Sequence, residues 1–496
     1  MTSAPAPRPA TPGAADSPGR ISVAVIGGGI AGLAAAYQLR TAGLTVTVLE
    51  GSPRLGGKLA VSEVAGVSVD AGAEALLARR PEGTDLIADL GLSGELEVPG
   101  TTSAGIWTRG RVRPLPRRQF MGVPADVDEL AATGIVSAPG LARARQDRTL
   151  PAHDPGGDES VTSRVGGRLG AEVVDRLVEP LLGGVYAGRC DDLSFQATLP
   201  ALAGAARGHR SLAEAAASLL PPAADGTDRP AQPPVFTTLS RGLGSLPAAL
   251  AAGSGAVIRT GAMVRELTRT AVGWRLTVGS AHAPEWLDAD AVIIAVPATP
   301  ASRLLATAAD RAAAAGQAAA ALHEIEYASM AIVTLAYPVA AFGEPVTGSG
   351  FLVPAVDGRA VKAVTFSTVK WPHLRSGGDG VHLVRCSVGR LGEDAVLQRD
   401  DAELAALAAA DLADATGVRG QPVDVRVTRW GGGLPQYSVG HLDRVGRVRS
   451  AIAAVPGLAV CGAAYDGVGI PACIATARLA VDQVLAYLAG RPDSAR

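Results

Sequence analysis

The chain has 496 residues, 48% of them hydrophobic, which is enough apolar material for two or three globular domains. Its formal net charge is −2, and this near balance argues against a nucleic-acid partner. The four cysteines are scattered without a C-x-x-C pair. The sequence therefore predicts neither a disulfide framework nor a structural metal site, and it favours a reducing cytoplasm.

The amino-terminal stretch predicts a disordered tail. Residues 1–19 consist mostly of Ala, Pro, Ser, Thr and Gly, without the apolar core of a signal peptide. No run of 18 uninterrupted apolar residues occurs along the chain, so the sequence predicts no transmembrane anchor.

The stretch that follows predicts a β-α-β unit. A short apolar strand, Val23–Ile26, is followed by a glycine turn, an Ala- and Leu-rich helix and a strand-like run that ends at Glu50. Gly27 permits the bend out of the strand, Gly29 lets a pyrophosphate approach the backbone, and Gly32 lets the helix pack closely on the sheet. Free N–H groups at the helix start would face the phosphates, and Glu50 would bind a ribose. This order favours a dinucleotide site over a glycine turn that binds nothing.

A second glycine element comes directly after this unit. The segment Ser52–Lys58 contains R-x-G-G and ends in a basic residue. The segment Val67–Glu74 then predicts a strand and a turn of small residues, which suit a close approach to a planar ring. Together these motifs resemble the superfamily of flavin-dependent amine oxidases, phytoene desaturases and protoporphyrinogen oxidases, whose members carry the paired signature for FAD.

The rest of the chain predicts an α/β fold with a Rossmann-like FAD-binding domain in three chain segments, an antiparallel-sheet substrate domain and a helical insert. The FAD-binding segments are 20–78, 236–300 and 425–490, in an arrangement common in the resembled superfamily. Residues 79–220 form the helical insert, 221–235 a linker, and 301–424 the substrate-binding domain. Strands within the latter are predicted at Lys362–Trp371 and Val381–Val388.

Two motifs near the carboxyl end narrow the resemblance to the porphyrinogen oxidases. Residues 429–441 read R-W-x-x-x-x-P-Q-Y-x-V-G-H, and residues 462–474 read G-A-x-x-x-G-V-G-I-P-x-C-I. The second motif predicts a helix that begins near Ile470, and its N-terminus can stabilise the anionic reduced flavin. The resemblance implies FAD-binding positions at Gly27, Gly28, Gly29, Ile30, Ala31, Gly32, Glu50, Gly51, Arg54, Gly57, Lys58, Gly72, Ala73, Glu74, Ala75, Val264, Trp430, Ala463, Val468, Gly469 and Ile470.

The substrate class also comes from the resemblance. Mitochondrial protoporphyrinogen oxidases carry an arginine near a position where this chain reads T-T-S-A-G over residues 101–105. The chain is more similar to the Gram-positive branch, which oxidises coproporphyrinogen III, a substrate with four propionates. Arg79 and Arg80 are the candidates for binding these propionates, and Arg109, Arg111 and Arg113 could add charge. Each of them could equally be a surface arginine.

The resemblance implies a six-electron desaturation in haem biosynthesis, with oxygen as acceptor and hydrogen peroxide as product. Because aromatisation drives the reaction, we assign no catalytic acid or base, and we interpret His441 as a structural residue. Cys461 and Cys473 are interpreted as core residues. Tyr465 either flanks the flavin or packs in the core, and the sequence leaves both open. The resemblance also implies a transient contact with a ferrochelatase.

Three alternatives stay open on the sequence. The enzyme could prefer protoporphyrinogen IX, or it could be an amine oxidase of the same fold, which would need an aromatic cage beside the flavin. Only 18 residues are Phe, Trp or Tyr, which leaves few for such a cage. A flavin-free escort protein on this scaffold, like the Rab GDP-dissociation inhibitors, is disfavoured by the intact Glu50 and R-x-G-G element.

Overall fold

The computed structural model describes residues 20–152, 156–221, 234–375 and 380–491. The predicted tail, 1–19, and residues 222–233 of the predicted linker lie outside these ranges.

The strands are numbered in chain order. They are β1 Ser22–Ile26, β2 Thr45–Leu49, β3 Val61–Val64, β4 Val67–Asp70, β5 Leu76–Leu77, β6 Leu96–Glu97, β7 Gly105–Thr108, β8 Arg111–Pro114, β9 Gln119–Phe120, β10 Val123–Pro124, β11 Phe236–Leu239, β12 Val257–Arg259, β13 Val264–Arg269, β14 Trp274–Ser280, β15 Ala283–Ala289, β16 Ala291–Ile294, β17 Tyr327–Pro338, β18 Gly350–Leu352, β19 Val361–Phe366, β20 Val381–Val388, β21 Asp424–Pro435 and β22 Leu458–Val460.

The α-helices are numbered in the same way. They are α1 Ile30–Leu39, α2 Pro81–Asp89, α3 Val127–Thr133, α4 Ala138–Arg145, α5 Gly167–Leu169, α6 Ala171–Val173, α7 Glu179–Tyr186, α8 Phe195–Thr198, α9 Pro200–Ala206, α10 Leu212–Ser218, α11 Leu246–Ser254, α12 Ala298–Thr307, α13 Ala313–His323, α14 Ser367–Lys370, α15 Asp394–Leu397, α16 Asp401–Thr416, α17 His441–Ala453 and α18 Ile470–Ala489.

A five-stranded parallel sheet lies at the centre of one half of the molecule, in the order β12-β2-β1-β16-β22. Alternate residues of β1 face opposite sides, as expected for a strand buried on both faces. Val23 and Val25 pack in a core with α1, α11 and α18. Ala24 and Ile26 pack in a second core with α12, α13 and α17. The strands come from three separate parts of the chain.

A seven-stranded sheet forms the other half, in the order β21-β17-β20-β19-β18-β7-β8. Its pairs are antiparallel except for β7 beside β18. Helix α16 packs its apolar residues against one face of this sheet. A hairpin of β3 and β4 contacts the sheet through residues such as Val69 and Leu383.

Several predicted boundaries are wrong because strand pairing crosses them. Residues 425–435, predicted to open the last nucleotide-binding segment, form most of β21 and pair with β17 in the seven-stranded sheet. Residues 105–114 of the predicted helical insert form β7 and β8 of that same sheet. Residues 301–323, predicted for the substrate domain, belong to α12 and α13 and pack on the parallel sheet. The strand predicted at Lys362–Trp371 ends at Phe366, and helix α14 follows.

The helical part between β10 and β11 has its own core. Helices α3 to α10 bury residues such as Leu130, Leu177 and Leu202, and Tyr437 from the segment after β21 joins them. Two segments of this part, Thr162–Gly166 and Val174–Val178, have the wider turns of a π-helix.

Helix α18 is the one helix in the described ranges whose length and apolar composition would allow it to cross a membrane. Half of its apolar window is buried inside the protein. Its buried residues, among them Ile474, Ala477 and Val484, pack in the core that includes α1. We therefore interpret α18 as a core helix.

Candidate functional site

The glycine turn predicted to bind a dinucleotide joins β1 to α1. Gly27 has φ of +110°, a region that favours glycine, and a Cβ there would lie 2.7 Å from the carbonyl oxygen of Ala295. A Cβ on Gly32 would lie 1.9 Å from the carbonyl oxygen of Gly27. Both glycines are therefore required for the helix to pack on the sheet.

Gly29 has the opposite surroundings. Apart from Gly29 and its two chain neighbours, no atom of the described residues lies within 4 Å of the position that a Cβ on Gly29 would take. Gly29 precedes α1, whose first turn begins with Ile30 and Ala31, and no side chain caps the helix. The first N–H groups of α1 therefore adjoin open space, which fits a pyrophosphate.

Glu50 follows β2 and reaches back to the turn. Its Oε2 accepts a hydrogen bond from the Gly28 N–H at 2.7 Å, and its Oε1 accepts one from the Ser52 N–H at 2.8 Å. These bonds fix the carboxylate beside the start of α1. Each oxygen keeps a lone pair, so the carboxylate can still accept a hydroxyl of a ribose.

The R-x-G-G loop packs directly on the glycine turn. The Gly56 N–H donates to the Gly28 carbonyl at 2.8 Å, and the Arg54 guanidinium turns back to the Gly57 carbonyl, also at 2.8 Å. Lys58 follows, and burial lowers its pKa. Within the described ranges, no acidic group pairs with its Nζ. The loop is therefore followed by a buried amine that has no acidic partner in the described part of the chain.

Gly51 and Val264 lie next to each other beyond the carboxyl end of β2. A Cβ on Gly51 would lie 2.7 Å from Cε of Met263, the residue before Val264. The Val264 side chain is buried in the core, so only its backbone is available to a ligand. Met263 is 56% exposed, and no feature of the sequence singled it out. An exposed thioether suits the face of an adenine ring, and the Val264 backbone can border the ring.

The turn after β4 contains Gly72, Ala73, Glu74 and Ala75, and it is packed too tightly for a side chain at Gly72. A Cβ there would lie 1.8 Å from the Lys58 carbonyl oxygen and 3.1 Å from the Trp430 ring. Trp430 donates its Nε1–H to the Ala71 carbonyl at 3.0 Å. The Glu74 carboxylate pairs with Lys370 and Arg385, so its side chain is not free for a cofactor.

The carboxyl-terminal motif lies between β22 and α18. The Ala463 carbonyl accepts a hydrogen bond from the Tyr437 hydroxyl at 2.7 Å, and the same hydroxyl accepts one from the Gly467 N–H, also at 2.7 Å. Val468 contacts the helical core, and Gly469 precedes Ile470 without a side-chain cap. Helices α1 and α18 pack on each other, and neither has a side-chain cap at its start.

His441 is wholly buried, as a structural residue would be. Its ring stacks on Tyr437 with centroids 3.8 Å apart, and Nε2 lies 3.2 Å from the Tyr465 carbonyl oxygen. Burial lowers the pKa of His441 to about 4, so it is neutral at physiological pH. Tyr465 is 2% exposed and packs in the core under the parallel sheet. Of the two roles that the sequence left open, flanking the flavin or packing in the core, the structure favours packing.

The predicted core cysteines are buried thiols. Burial raises the pKa of Cys461, and it raises the pKa of Cys473 to about 11. Neither thiol is therefore an activated nucleophile.

The candidate substrate arginines differ in their ionic partners. Arg80 pairs with Glu82 at 2.6 Å, and Arg109 pairs with Glu172. Arg79 is exposed and has no ionic partner within the described ranges. It precedes α2, in which a Cβ on Gly83 would lie 3.3 Å from Pro471 at the start of α18. The segment of Arg79 and Arg80 thus leads into a helix that touches the start of α18.

The fold and the site define an α/β nucleotide-binding protein with a second, largely antiparallel sheet. The family model described as flavin containing amine oxidoreductase matches residues 30–485, and the chain belongs to this family. A flavin in a fold with a dinucleotide turn is flavin adenine dinucleotide, so the predicted cofactor, FAD, is confirmed. The open space at Gly29 and the two uncapped helix starts fit this group.

Similar proteins extend over nearly the whole chain. Coproporphyrinogen III oxidase of Mycobacterium tuberculosis is 39% identical over 94% of this chain and 98% of its own length. Coproporphyrinogen III oxidase of Bacillus subtilis is 32% identical over 95% of this chain and 99% of its own length. A crystal structure of an Exiguobacterium protein assigned as a protoporphyrinogen oxidase has a TM-score of 0.80 and 31% identity. The match covers 94% of this chain and 98% of that chain. A putrescine oxidase, at 18% identity and a TM-score of 0.69, shares the fold.

Proposed function

We propose that this chain is an oxygen-dependent coproporphyrinogen III oxidase that forms coproporphyrin III in haem biosynthesis. The observation that carries the proposal is the near full-length similarity to curated coproporphyrinogen III oxidases of M. tuberculosis and B. subtilis. The substrate loses six electrons and six protons in three two-electron rounds, and three molecules of oxygen become three molecules of hydrogen peroxide.

The finer architecture is part of the proposal. The parallel sheet and its helices form the FAD-binding domain from three chain segments, and the seven-stranded sheet forms the substrate domain. The uncapped start of α1, Glu50 and Lys58 bind the phosphates and ribose, and Met263 with the Val264 backbone borders the adenine. Ala463, which bonds to Tyr437, and residues 468–470, which follow the Tyr437-bonded Gly467, adjoin the flavin ring.

The chemistry requires little from protein acids or bases. Bound FAD would supply the hydride acceptor for each round. The chain's part is to orient a meso carbon of the substrate, to exclude water and to supply positive potential at the start of α18. His441 takes no part in proton transfer, because its ring is buried and its pKa of about 4 makes it a weak base. Pyrrole protons leave to solvent.

For the propionates we favour Arg79 over Arg80. Arg79 has no ionic partner within the described ranges, whereas the charge of Arg80 is already compensated by Glu82. We extend the proposal to a cytoplasmic location, because all four cysteines are buried free thiols, as in a reducing compartment. We also propose a transient contact with a ferrochelatase, because such an enzyme acts on the product of this reaction.

A second candidate is oxidation of protoporphyrinogen IX, which the 31% identical Exiguobacterium structure favours. An amine oxidase activity has less support, because Tyr437 is bound to backbone groups and Tyr465 is a core residue, so neither is free for an aromatic cage.

The experiment is parallel turnover of the purified FAD-loaded protein with coproporphyrinogen III, protoporphyrinogen IX and a panel of primary amines. Porphyrin fluorescence and oxygen consumption are recorded together. We expect the highest kcat/KM with coproporphyrinogen III and no peroxide from amines. Oxidation of neither porphyrinogen by flavin-loaded protein would refute the proposal, and a clear preference for protoporphyrinogen IX would select the second candidate.

A further inference from the structure

Side chains of the seven-stranded sheet hold three consecutive carbonyl groups of the turn after β4. On β20, Arg385 donates from Nη1 to the Asp70 carbonyl at 3.0 Å and from Nη2 to the Gly72 carbonyl. The carbonyl between them, on Ala71, accepts from Trp430 Nε1 of β21 at 3.0 Å. The orientation of this turn is therefore set by two strands of the other sheet.

Arg385 is itself held in place by a buried ion cluster. Glu74 Oε2 lies 3.6 Å from Nη1 of Arg385, and Glu74 Oε1 lies 2.6 Å from Lys370 Nζ. The three side chains are 15% to 17% exposed, so solvent screens them weakly. Burial alone would raise the pKa of Glu74, but the charges of Lys370 and Arg385 outweigh it and lower the pKa to about 2. The carboxylate is therefore ionised and keeps the guanidinium fork in one orientation.

The carbonyl bonds also determine where the N–H groups of the turn point. In a trans peptide the C=O and N–H groups point in opposite directions. Because the Ala71 carbonyl points to Trp430, the Gly72 N–H of the same peptide points away from the seven-stranded sheet. The neighbouring N–H groups of Ala71 and Ala73 donate to the carbonyls of Ala60 and Lys58. The Gly72 N–H has no acceptor within the described ranges.

The free N–H lies in the turn that packs on the nucleotide loop. Gly72 touches the Lys58 carbonyl so closely that a Cβ would lie 1.8 Å from it. The same loop bonds to the start of α1 through Gly56 and Gly28. A buried N–H without a protein acceptor is costly unless a ligand supplies one.

We propose that Arg385 is a positioning residue for the flavin: with Trp430 it holds the Asp70–Gly72 turn so that the Gly72 N–H is presented to the bound cofactor. The acceptor would be a nitrogen or carbonyl oxygen of the isoalloxazine ring. Glu74 and Lys370 act through Arg385, by fixing its orientation. The inference rests on the flavin cofactor of the family and, for the turnover measurement alone, on the proposed substrate.

The test compares three variants of the full-length protein, Arg385→Met, Arg385→Lys and Arg429→Met. Arg429 is a matched control on the same sheet, because it also donates to two backbone carbonyls, of Leu397 and Arg399, and pairs with a carboxylate, Asp401. These partners lie around α16 rather than at the turn. The measurements are the FAD dissociation constant, the visible spectrum and midpoint potential of the bound flavin, the melting temperature of the apoprotein, and kcat and KM with coproporphyrinogen III.

We expect Arg385→Met to bind FAD about tenfold more weakly, to shift the flavin bands and potential, and to lower kcat more than it raises KM. Arg385→Lys should recover part of each change, and Arg429→Met should lower the melting temperature without altering the flavin. Flavin properties of Arg385→Met that match those of Arg429→Met would overturn the proposal.

If Arg385→Met fails to fold, as judged by circular dichroism, Glu74→Gln decides, because it keeps the shape and removes the charge that fixes Arg385. A shift of the flavin bands relative to the wild type supports the proposal, and unchanged bands with unchanged FAD affinity refute it. Absence of porphyrinogen turnover in the wild-type protein would refute the proposed substrate and leave the flavin measurements valid.

Discussion

Gly29 and Gly32 differ in what surrounds them, although they belong to one motif. The space around the Cβ position of Gly29 is open, and its φ of −76° is accessible to any residue. The Cβ position of Gly32 collides with the Gly27 carbonyl oxygen at 1.9 Å. The spacing of the motif predicted both glycines. In the structure, Gly32 is required by packing, whereas Gly29 adjoins the space for the ligand.

We therefore predict opposite effects of two alanine substitutions. Gly32→Ala should lower the free energy of unfolding of the apoprotein by about 1–3 kcal/mol, because backbone must move. Gly29→Ala should leave the apoprotein within about 0.5 kcal/mol of wild type and weaken FAD binding instead. Urea unfolding of the apoproteins and FAD titration measure the two effects. Equal loss of apoprotein stability in both variants would contradict this assignment.

The candidate substrate arginines give a second prediction. Arg79→Ala should raise KM for coproporphyrinogen III about five- to tenfold with kcat nearly unchanged, because one charged contact to a propionate is lost. Arg80→Ala is the control, since its charge is already paired with Glu82 at 2.6 Å. Steady-state kinetics of the two variants decide the assignment, and a larger effect from Arg80 would reverse it.

At the scale of elements, local sequence patterns predicted where strands occur better than they predicted which sheet each strand joins. The strand Val381–Val388 was predicted at its observed bounds, because its apolar run is marked by the residues themselves. Segment β21 was assigned to the last nucleotide-binding segment, whereas it pairs with β17. Its glycines at 431–433 lie at a register shift of that pairing, where Gly432 has φ of +55°. Trp430 was predicted near the flavin, and its bond to the Ala71 carbonyl depends on that pairing, which no local pattern encodes.

The Tyr437 hydroxyl joins two points of the segment between β22 and α18. We predict that Tyr437→Phe lowers the free energy of unfolding by about 1–3 kcal/mol, because the Gly467 N–H and the Ala463 carbonyl lose their shared partner. The variant should also bind FAD more weakly. Tyr337→Phe is the control, because that ring is buried in the seven-stranded sheet and its hydroxyl makes no hydrogen bond to the described residues. Equal effects of the two substitutions on FAD binding would contradict the prediction.

Across the whole molecule, the sequence predicted the two ends of the nucleotide site and missed the contacts between the sheets. The glycine turn, Glu50 and the start of α18 follow from motifs with fixed spacing. The contacts of Met263 with Gly51 and of Arg385 with the Gly72 turn join residues more than 200 positions apart. Single residues in ordinary strands carry no local signal for such contacts, because partner and distance are set only by the assembled fold.

Global stability should depend on pH through His441. Its pKa is about 4 in the folded protein, compared with 6.5 for an ordinary histidine, because burial disfavours the charged form. Between pH 6.5 and 4 the unfolded chain binds a proton that the folded protein does not, so stability falls as the pH falls through this window. The expected loss is about 3 kcal/mol. Replacing His441 by Phe, which preserves stacking on Tyr437, should flatten this part of a urea-denaturation profile.

The exposed His282 provides the comparison for that measurement. His282→Asn should leave the pH profile of stability unchanged. A slope between pH 6.5 and 4 that is the same in His441→Phe as in the wild type would contradict the assignment to His441.

The order in which strands enter the parallel sheet has a consequence for biosynthesis. Strands β1 and β2 leave the ribosome first, but their sheet also needs β12, β16 and β22, and the face that carries α1 is covered by α18 at the end of the chain. A nascent polypeptide therefore exposes Val23 and Val25 until α18 has left the ribosome. We expect cofactor capture to be post-translational and prematurely terminated chains to need chaperones, and pulse-labelled ribosome-bound intermediates should be sensitive to protease throughout.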